Sequence, residues 1–348
     1  MEKVLTVVIP TYNMQAYLNR CLDSLVVEED ALMEALEVLV VNDGSKDGSS
    51  AIAHDYQQRF PATFRVIDKE NGNYGSCINR GLSEARGKFI KILDADDWFD
   101  GGPFALYLQK LLELEEPVDL VLTDYTKVDE EGKVLAACRF PLEYDRVFSF
   151  QEYPGLDYFA HHALTYRKDF LLEHAYRQTE GISYTDNEWM YYPQLYVDRC
   201  VYWNLDVYRY FIGREGQTMA PQTYFKRIPQ LITILKRMVL ELAAFRKQGG
   251  QGMGATRLAH FILHTSKGIY NSYLVKSSAD AFPSEVLKDY DAFLCEHDRA
   301  VYDAIGSGLV LKGVPIHYVR FWRRFGKRFP VDAPRALYRR IRYGKQGK

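Results

Sequence analysis

At 348 residues, with 47% hydrophobic and 26% charged residues, the chain has an ordinary globular composition and enough length for one large domain with an appendage or for two domains. The five cysteines, Cys21, Cys77, Cys138, Cys200 and Cys295, are odd in number, widely spaced and form no CxxC pair, which argues against both a disulfide framework and a zinc site. The start, MEKVLTVVIP, lacks the basic flank and long apolar core of a signal peptide, and no apolar run approaches about 18 residues, so neither a leader nor a membrane-spanning helix is expected and a reducing, cytoplasmic setting fits.

Residues 4–10 form a β-branched run stopped by Pro10, a buried strand, and Ala16, Leu18, Cys21, Leu22 and Leu25 then follow helical spacing. A second buried strand covers 36–41 and ends in the turn Asn42-Asp43-Gly44-Ser45; residues 48–59 read as a helix and 64–68 as a third strand. After NGNYG another helix covers 76–86, and residues 89–93 form a fourth strand. Apolar strands alternating with amphipathic helices predict βαβ units and a parallel sheet. A helix over 103–115, a strand over 118–123 and a hairpin at 128–134 extend it. Residues 140–212 are dense in aromatics and hard to divide, apart from a helix near 186–198 and a strand near 200–208. Helices are expected over 228–247, 256–275 and 284–304, broken by GGQGMG at 249–254.

The fourth strand delivers the chain into Asp94, Asp96 and Asp97. Carboxylates this close repel one another unless a divalent cation or helix N-terminal amides lie among them. The competing reading is a plain βα turn with Asp96 or Asp97 as the helix cap. In open α/β sheets ligands lie beyond the carboxyl ends of the strands, which gathers Thr11, Tyr12 and Asn13, Asp43, the 71–75 loop and Asp94 to Asp97 along one edge.

In this order and spacing, IPTYN (9–13), VVNDGSKDGS (40–49), ENGNYGSCINRG (70–81) and LDADD (93–97) resemble the motifs of family 2 glycosyltransferases. The resemblance implies the GT-A fold, a Rossmann-like, mostly parallel sheet flanked by helices, here followed by a mainly helical C-terminal region. It also implies inverting transfer from a nucleotide-activated sugar, usually a UDP-sugar, with Mn²⁺ or Mg²⁺. By the same resemblance Tyr12 stacks on the uracil ring with Thr11 and Asn13 shaping the pocket, and Asp43 accepts a hydrogen bond from the base. A carboxylate suits that task because uracil N3 is a donor; the alternative for Asp43 is an ordinary turn residue. Asp94 matches the ribose contact and Asp96 the metal ligand. The 70–81 loop departs from the commonest family pattern: Asn71 and Asn79 fit, while Asn73 and Ile78 occupy the places of a glycine and a basic residue. Gly72, Tyr74 and Gly75 would still let the backbone approach the nucleotide closely.

Inverting transfer needs a base for the acceptor hydroxyl. In SYTDNEWMYYP the resemblance points to Asp186, with Thr185 where the family has Glu; a helix N-cap is the alternative for Asp186, and Glu188 is the second candidate base. FIGREGQTM resembles a family segment that closes over the diphosphate, which makes Arg214, with Gln217 and Thr218, phosphate candidates beside the plainer reading of a solvated loop. His161 and His162 could touch the acceptor or approach the metal, although a structural role comes first.

The expected organisation is a glycosyltransferase domain over 1–223, with a nucleotide-binding half (1–100) and an acceptor half (101–223), a helical region over 224–312 and a basic amphipathic tail over 313–348. From Pro315 onward eleven Lys or Arg face the single Asp332, leaving about −12 on the preceding residues. That tail fits either peripheral contact with an anionic membrane, where lipid-linked acceptors lie, or packing on the acidic body. No nucleic-acid motif accompanies the charge. The expected activity is glycosyl transfer to a glycan or lipid-linked acceptor in cell-surface polysaccharide assembly. The rivals are a nucleotide-sugar-binding protein without turnover and a nicotinamide oxidoreductase, the latter opposed by the absence of GxGxxG after the first strand.

Overall fold

The computed structural model describes residues 2–152, 159–213, 221–276, 284–306, 309–311 and 314–327. The chain divides into two compact units, Met1–Tyr224 with Gln251–Arg257, and Phe225–Gly250 with Leu258–Lys348.

In the first unit the strands Leu5–Thr11 (β1), Leu36–Asn42 (β2), Phe64–Asp68 (β3) and Phe89–Ile92 (β4) pair in parallel in the order β3-β2-β1-β4. β1, β2 and β4 are buried along nearly their whole length, which is why they read as continuous apolar runs. The helices Leu18–Asp23 (α1), Asp30–Ala35 (α2), Ser49–Arg59 (α3) and Asn73–Glu84 (α4) connect them. α4 begins three residues earlier than its apolar spacing suggests. Its first residue, Asn73, has φ of 64°, a left-handed conformation that asparagine tolerates.

Beyond β4 the sheet continues through Trp98–Phe99 (β5), helix Gly101–Glu113 (α5), Leu120–Val128 (β6), Val134–Cys138 (β7), Val147–Ser149 (β8), Leu164–Arg167 (β9), the short helices Lys168–Glu173 (α6) and Asp186–Tyr191 (α7), and Arg199–Phe211 (β10). The full order is β3-β2-β1-β4-β9-β6-β10-β5, with β7 on β6 and β8 on β10. The longest pairing here, β6 with β10, is parallel, whereas β9, β5, β7 and β8 are antiparallel, so the sheet is mixed while remaining parallel over its longer pairings.

The hairpin at 128–134 forms, with Gly132 at φ of 81° in its turn. The helix expected over 186–198 stops at Tyr191, because Pro193 has no backbone donor to continue the ladder and begins a 3₁₀ turn instead. Asp97 does not cap α5. That helix starts at Gly101 after Asp100, and the Asp97 side chain turns inward to Tyr208 and Phe211.

The second unit is helical. It contains most of Pro221–Lys247 (α8) and of Met253–Asn271 (α9), a π-helical turn at Ser272–Lys276, Ser284–His297 (α10), Arg299–Gly306 (α11), the small hairpin Leu309–Leu311 (β11) and Val314–Ile316 (β12), and Tyr318–Phe325 (α12). Ile228, Leu231, Leu235, Met238 and Leu242 on α8 are buried at three-four spacing. α12, the first basic stretch of the tail, buries Tyr318, Val319 and Trp322, and its Arg323 meets Asp291 through two nitrogens at 2.7 and 2.9 Å. Tyr302 lies under the same guanidinium. Among the described residues no helix is long and apolar enough to cross a membrane.

Candidate active site

Register brings the strand ends level. Thr11 pairs with Asn42 and Asn42 with Asp68, so the residues after β1, β2 and β3 emerge side by side, and Asp94 follows the end of β4 beside them. Asp43 donates its backbone N–H to Thr11 O at 2.8 Å, and Lys69 donates to Asn42 O at 3.0 Å. Asn13, at φ of 54°, accepts from Lys46 N through its side chain and donates from its own N to Ser45 Oγ, which fixes the first loop against the second. Tyr12 between them remains 47% exposed.

Asp43 is buried, and its Oδ1 accepts from Lys69 Nζ at 2.6 Å and from Gly72 N at 2.9 Å. Asn71 donates to the Asp43 carbonyl at 3.0 Å. The acidic turn after β2 is thus tied to the loop after β3. Gly75 must lack a side chain, since a Cβ there would come within 2.1 Å of Thr179 O. Asn79 also serves this seam: its amide donates to Gln178 O and Glu180 Oε1 and accepts from Gln178 N.

The three carboxylates after β4 have separate surroundings. Asp94 is partly exposed; its Oδ1 accepts from the Tyr74 hydroxyl at 3.0 Å, its Oδ2 lies 3.2 Å from His161 Nε2, and its N–H donates to the Tyr208 hydroxyl. Asp96 is partly exposed, and its carbonyl accepts from Arg20, whose guanidinium covers Trp98. Asp97 is buried and accepts from Tyr208 Oη at 2.6 Å and Phe211 N at 2.8 Å. Burial, reinforced by the neighbouring charges of Asp96 and Asp94, pushes the Asp97 carboxyl well up from the usual range.

Asp186 opens α7 and shares the electrostatic surroundings of Asp94. Burial raises its pKa and Asp94 raises it further, while His161 opposes the rise. Burial alone would lower the His161 pKa, but Asp94 and Asp186 outweigh it and raise the imidazole. Tyr74, pushed up by burial, also feels both carboxylates. Tyr74 and His161 thus both meet the Asp94 carboxylate, and Asp186 lies within electrostatic reach of all three. Glu188 is spent elsewhere: fully buried, it accepts from Thr179 N at 2.6 Å and Thr179 Oγ1 at 2.7 Å. Arg214, Gln217 and Thr218 lie outside the described residues.

Behind the site, Lys91 stands fully buried in β4, donating to His162 O at 2.8 Å, and burial lowers its amine to about 7. His162 is stacked on Tyr210 and edge-on to Tyr208. Sequence reasoning missed Lys69, Lys91 and Tyr208. A lysine in the middle of the apolar run FIKIL was a visible signal for one of them.

Residues 6–174 match the family model described as Glycosyl transferase family 2. The chain is 33% identical over 132 residues to EpsH of Bacillus subtilis, a glycosyltransferase by name, in a match covering 37% of this chain and 36% of EpsH. It is 33% identical over 116 residues to the minor teichoic acid biosynthesis protein GgaB of the same organism, covering 33% of this chain and 13% of GgaB. The chain thus spans well under two thirds of the length of these curated relatives. Among solved structures, S. aureus TarS 1–349 in complex with UDP-GlcNAc superposes with a TM-score of 0.60 at 19% identity, over 93% of this chain and 92% of that one, which shows the shared fold.

Proposed function

We propose that this chain, whose residues 6–174 match glycosyltransferase family 2, moves a sugar, with inversion, from a UDP-sugar to a hydroxyl of a glycan or lipid-linked acceptor. The observation that supports this reading is the pair of contacts that Tyr74 and His161 make with Asp94, with Asp186, a carboxylate of raised pKa, within electrostatic reach of all three.

In this reading Tyr12 lies on the uracil ring, and Asp43, held by Lys69 and Gly72 N, accepts from the base. Asp94 accepts from the ribose while Tyr74 fixes its carboxylate. Asp186 takes the proton from the acceptor hydroxyl as it attacks the anomeric carbon opposite the departing diphosphate. Its raised pKa makes it a stronger base than an ordinary carboxylate. Gly72 and Gly75 bring backbone close to the donor, Asn71 and Asn79 hold that loop in place, and Arg214 is the phosphate candidate.

The partly exposed oxygens after β4 suit a hard cation, since Mg²⁺ or Mn²⁺ takes one or two carboxylates and completes its shell from phosphate. Asp96 would hold it, and the bound ion would stabilise charge on the leaving nucleoside diphosphate.

The complex of TarS with UDP-GlcNAc and the naming of GgaB for teichoic acid support a UDP-sugar donor and a surface-polymer acceptor, and the basic tail supports work at the inner face of the membrane. Within the tail, Tyr318, Val319, Trp322 and Arg323 are turned into the helical unit. The membrane contact is therefore left to the exposed Arg320, Arg324, Phe325 and Lys327 and to the residues that follow.

A panel of nucleotide sugars with Mn²⁺ tests the reading. The matching UDP-sugar raises the unfolding temperature by mass action and releases UDP when acceptor is added. Stabilisation by NAD alone, or by no UDP-sugar, would sink it, and binding without any release would favour a non-catalytic binder.

A further inference from the structure

Asp94, His161 and His162 each present one ligand atom within 4.8 Å of the others. In a tetrahedral shell two ligands each about 2.1 Å from an ion stand about 3.4 Å apart, so the edges of this triangle need to close by at most about 1.4 Å, a side-chain adjustment. One edge, Asp94 Oδ2 to His161 Nε2, is already 3.2 Å.

The second observation is His162 itself. It is 5% exposed, and neither ring nitrogen has a hydrogen-bond partner, although buried polar atoms are nearly always satisfied. Its Nε2 faces the acidic turn, 4.0 Å from Asp97 Oδ2, and that oxygen is already taken by the Tyr208 hydroxyl. The aromatic rings of Tyr125, Tyr208 and Tyr210 hold the imidazole in this orientation. A preoriented, unpartnered imidazole beside a second imidazole and a carboxylate is a donor set of two nitrogens and one oxygen. That set favours Zn²⁺ or Co²⁺ over Mg²⁺, which prefers oxygen and water.

We propose that Asp94, His161 and His162 form a binding site for a borderline transition ion such as Zn²⁺, separate from Asp96 and independent of nucleotide. Its fourth position is open to water or to a ligand oxygen. The cysteine pattern gave no hint of it because the ligands are imidazoles contributed by the turn before β9, far in sequence from Asp94.

The test is titration of metal-free, nucleotide-free full-length protein with Zn²⁺ against a chromophoric chelator, with Co²⁺ absorption in the visible as a second readout. One equivalent is expected to bind, and Asp96→Asn should bind like the wild type. His162→Phe keeps an aromatic ring in its nest, and should weaken binding at least about tenfold, as loss of even an outer-shell partner does; His161→Asn should do the same and guards against a folding defect in the first variant. Absence of uptake, wild-type uptake by both histidine variants, or loss of uptake in Asp96→Asn would each overturn the proposal.

Discussion

Lys91→Met should make the protein more stable at neutral pH, because the buried ammonium costs the fold more than its hydrogen bonds return. In the unfolded chain the amine titrates near 10.5, and burial in β4 lowers it to about 7. Between these values the unfolded chain binds a proton that the folded chain does not, so this group destabilises the fold at neutral pH and the penalty fades as pH rises towards 10.5. The penalty is about 4 kcal/mol at pH 7 and about 2 kcal/mol at pH 9. Methionine matches the stem and removes the charge, but it leaves His162 O without its 2.8 Å donor, at a cost of about 1–3 kcal/mol. The variant should therefore gain about 1–3 kcal/mol at pH 7 and be nearly level with the wild type at pH 9. Urea midpoints of both proteins at the two pH values measure this. A gap that does not change with pH, or a less stable variant at pH 7, would refute the reasoning.

Three further outcomes are expected. His161→Asn removes the group that lowers the Asp186 pKa, so the acid limb of the kcat profile, where the base becomes protonated, should move to higher pH; an unmoved limb would separate His161 from the base. Arg323→Met leaves the half-buried Asp291 without its charge partner, and should lower stability by about 3 kcal/mol, less a share for the partial exposure of both groups, as read by thermal unfolding. If Zn²⁺ occupies Asp94 with the two histidines, saturating Zn²⁺ should weaken UDP binding in calorimetry, and His162→Phe should lose the effect.

The first hundred residues were legible because β1, β2 and β4 are buried along nearly their whole length and their ends carry turn residues of distinctive chemistry, Asn13, Asp43 and Asp94. β9 and α6 were not, since residues 140–212 mix aromatics that serve sheet, helix and turn alike, and β9 is defined only by its antiparallel partners. α2, at six residues, is too short to show a period. Asp97 looked like a cap because it precedes a helix, but its role is set by Tyr208 and Phe211, more than a hundred positions away. A separation of 26 positions was enough to hide the Lys69 contact with Asp43: a lysine after a strand carries no pattern until the fold supplies its partner. Asp186 was visible through its motif, whereas its coupling to His161 and the commitment of Glu188 to Thr179 required the structure.

In the proposed mechanism Asp186 deprotonates the acceptor while the donor is held by other residues. The most direct test compares Asp186→Asn with the wild type in two assays on one preparation: UDP-sugar affinity by calorimetry and sugar transfer by UDP release with acceptor present. Unchanged affinity and a rate lower by about 10²–10⁴-fold are expected. Transfer at the wild-type rate would contradict that mechanism.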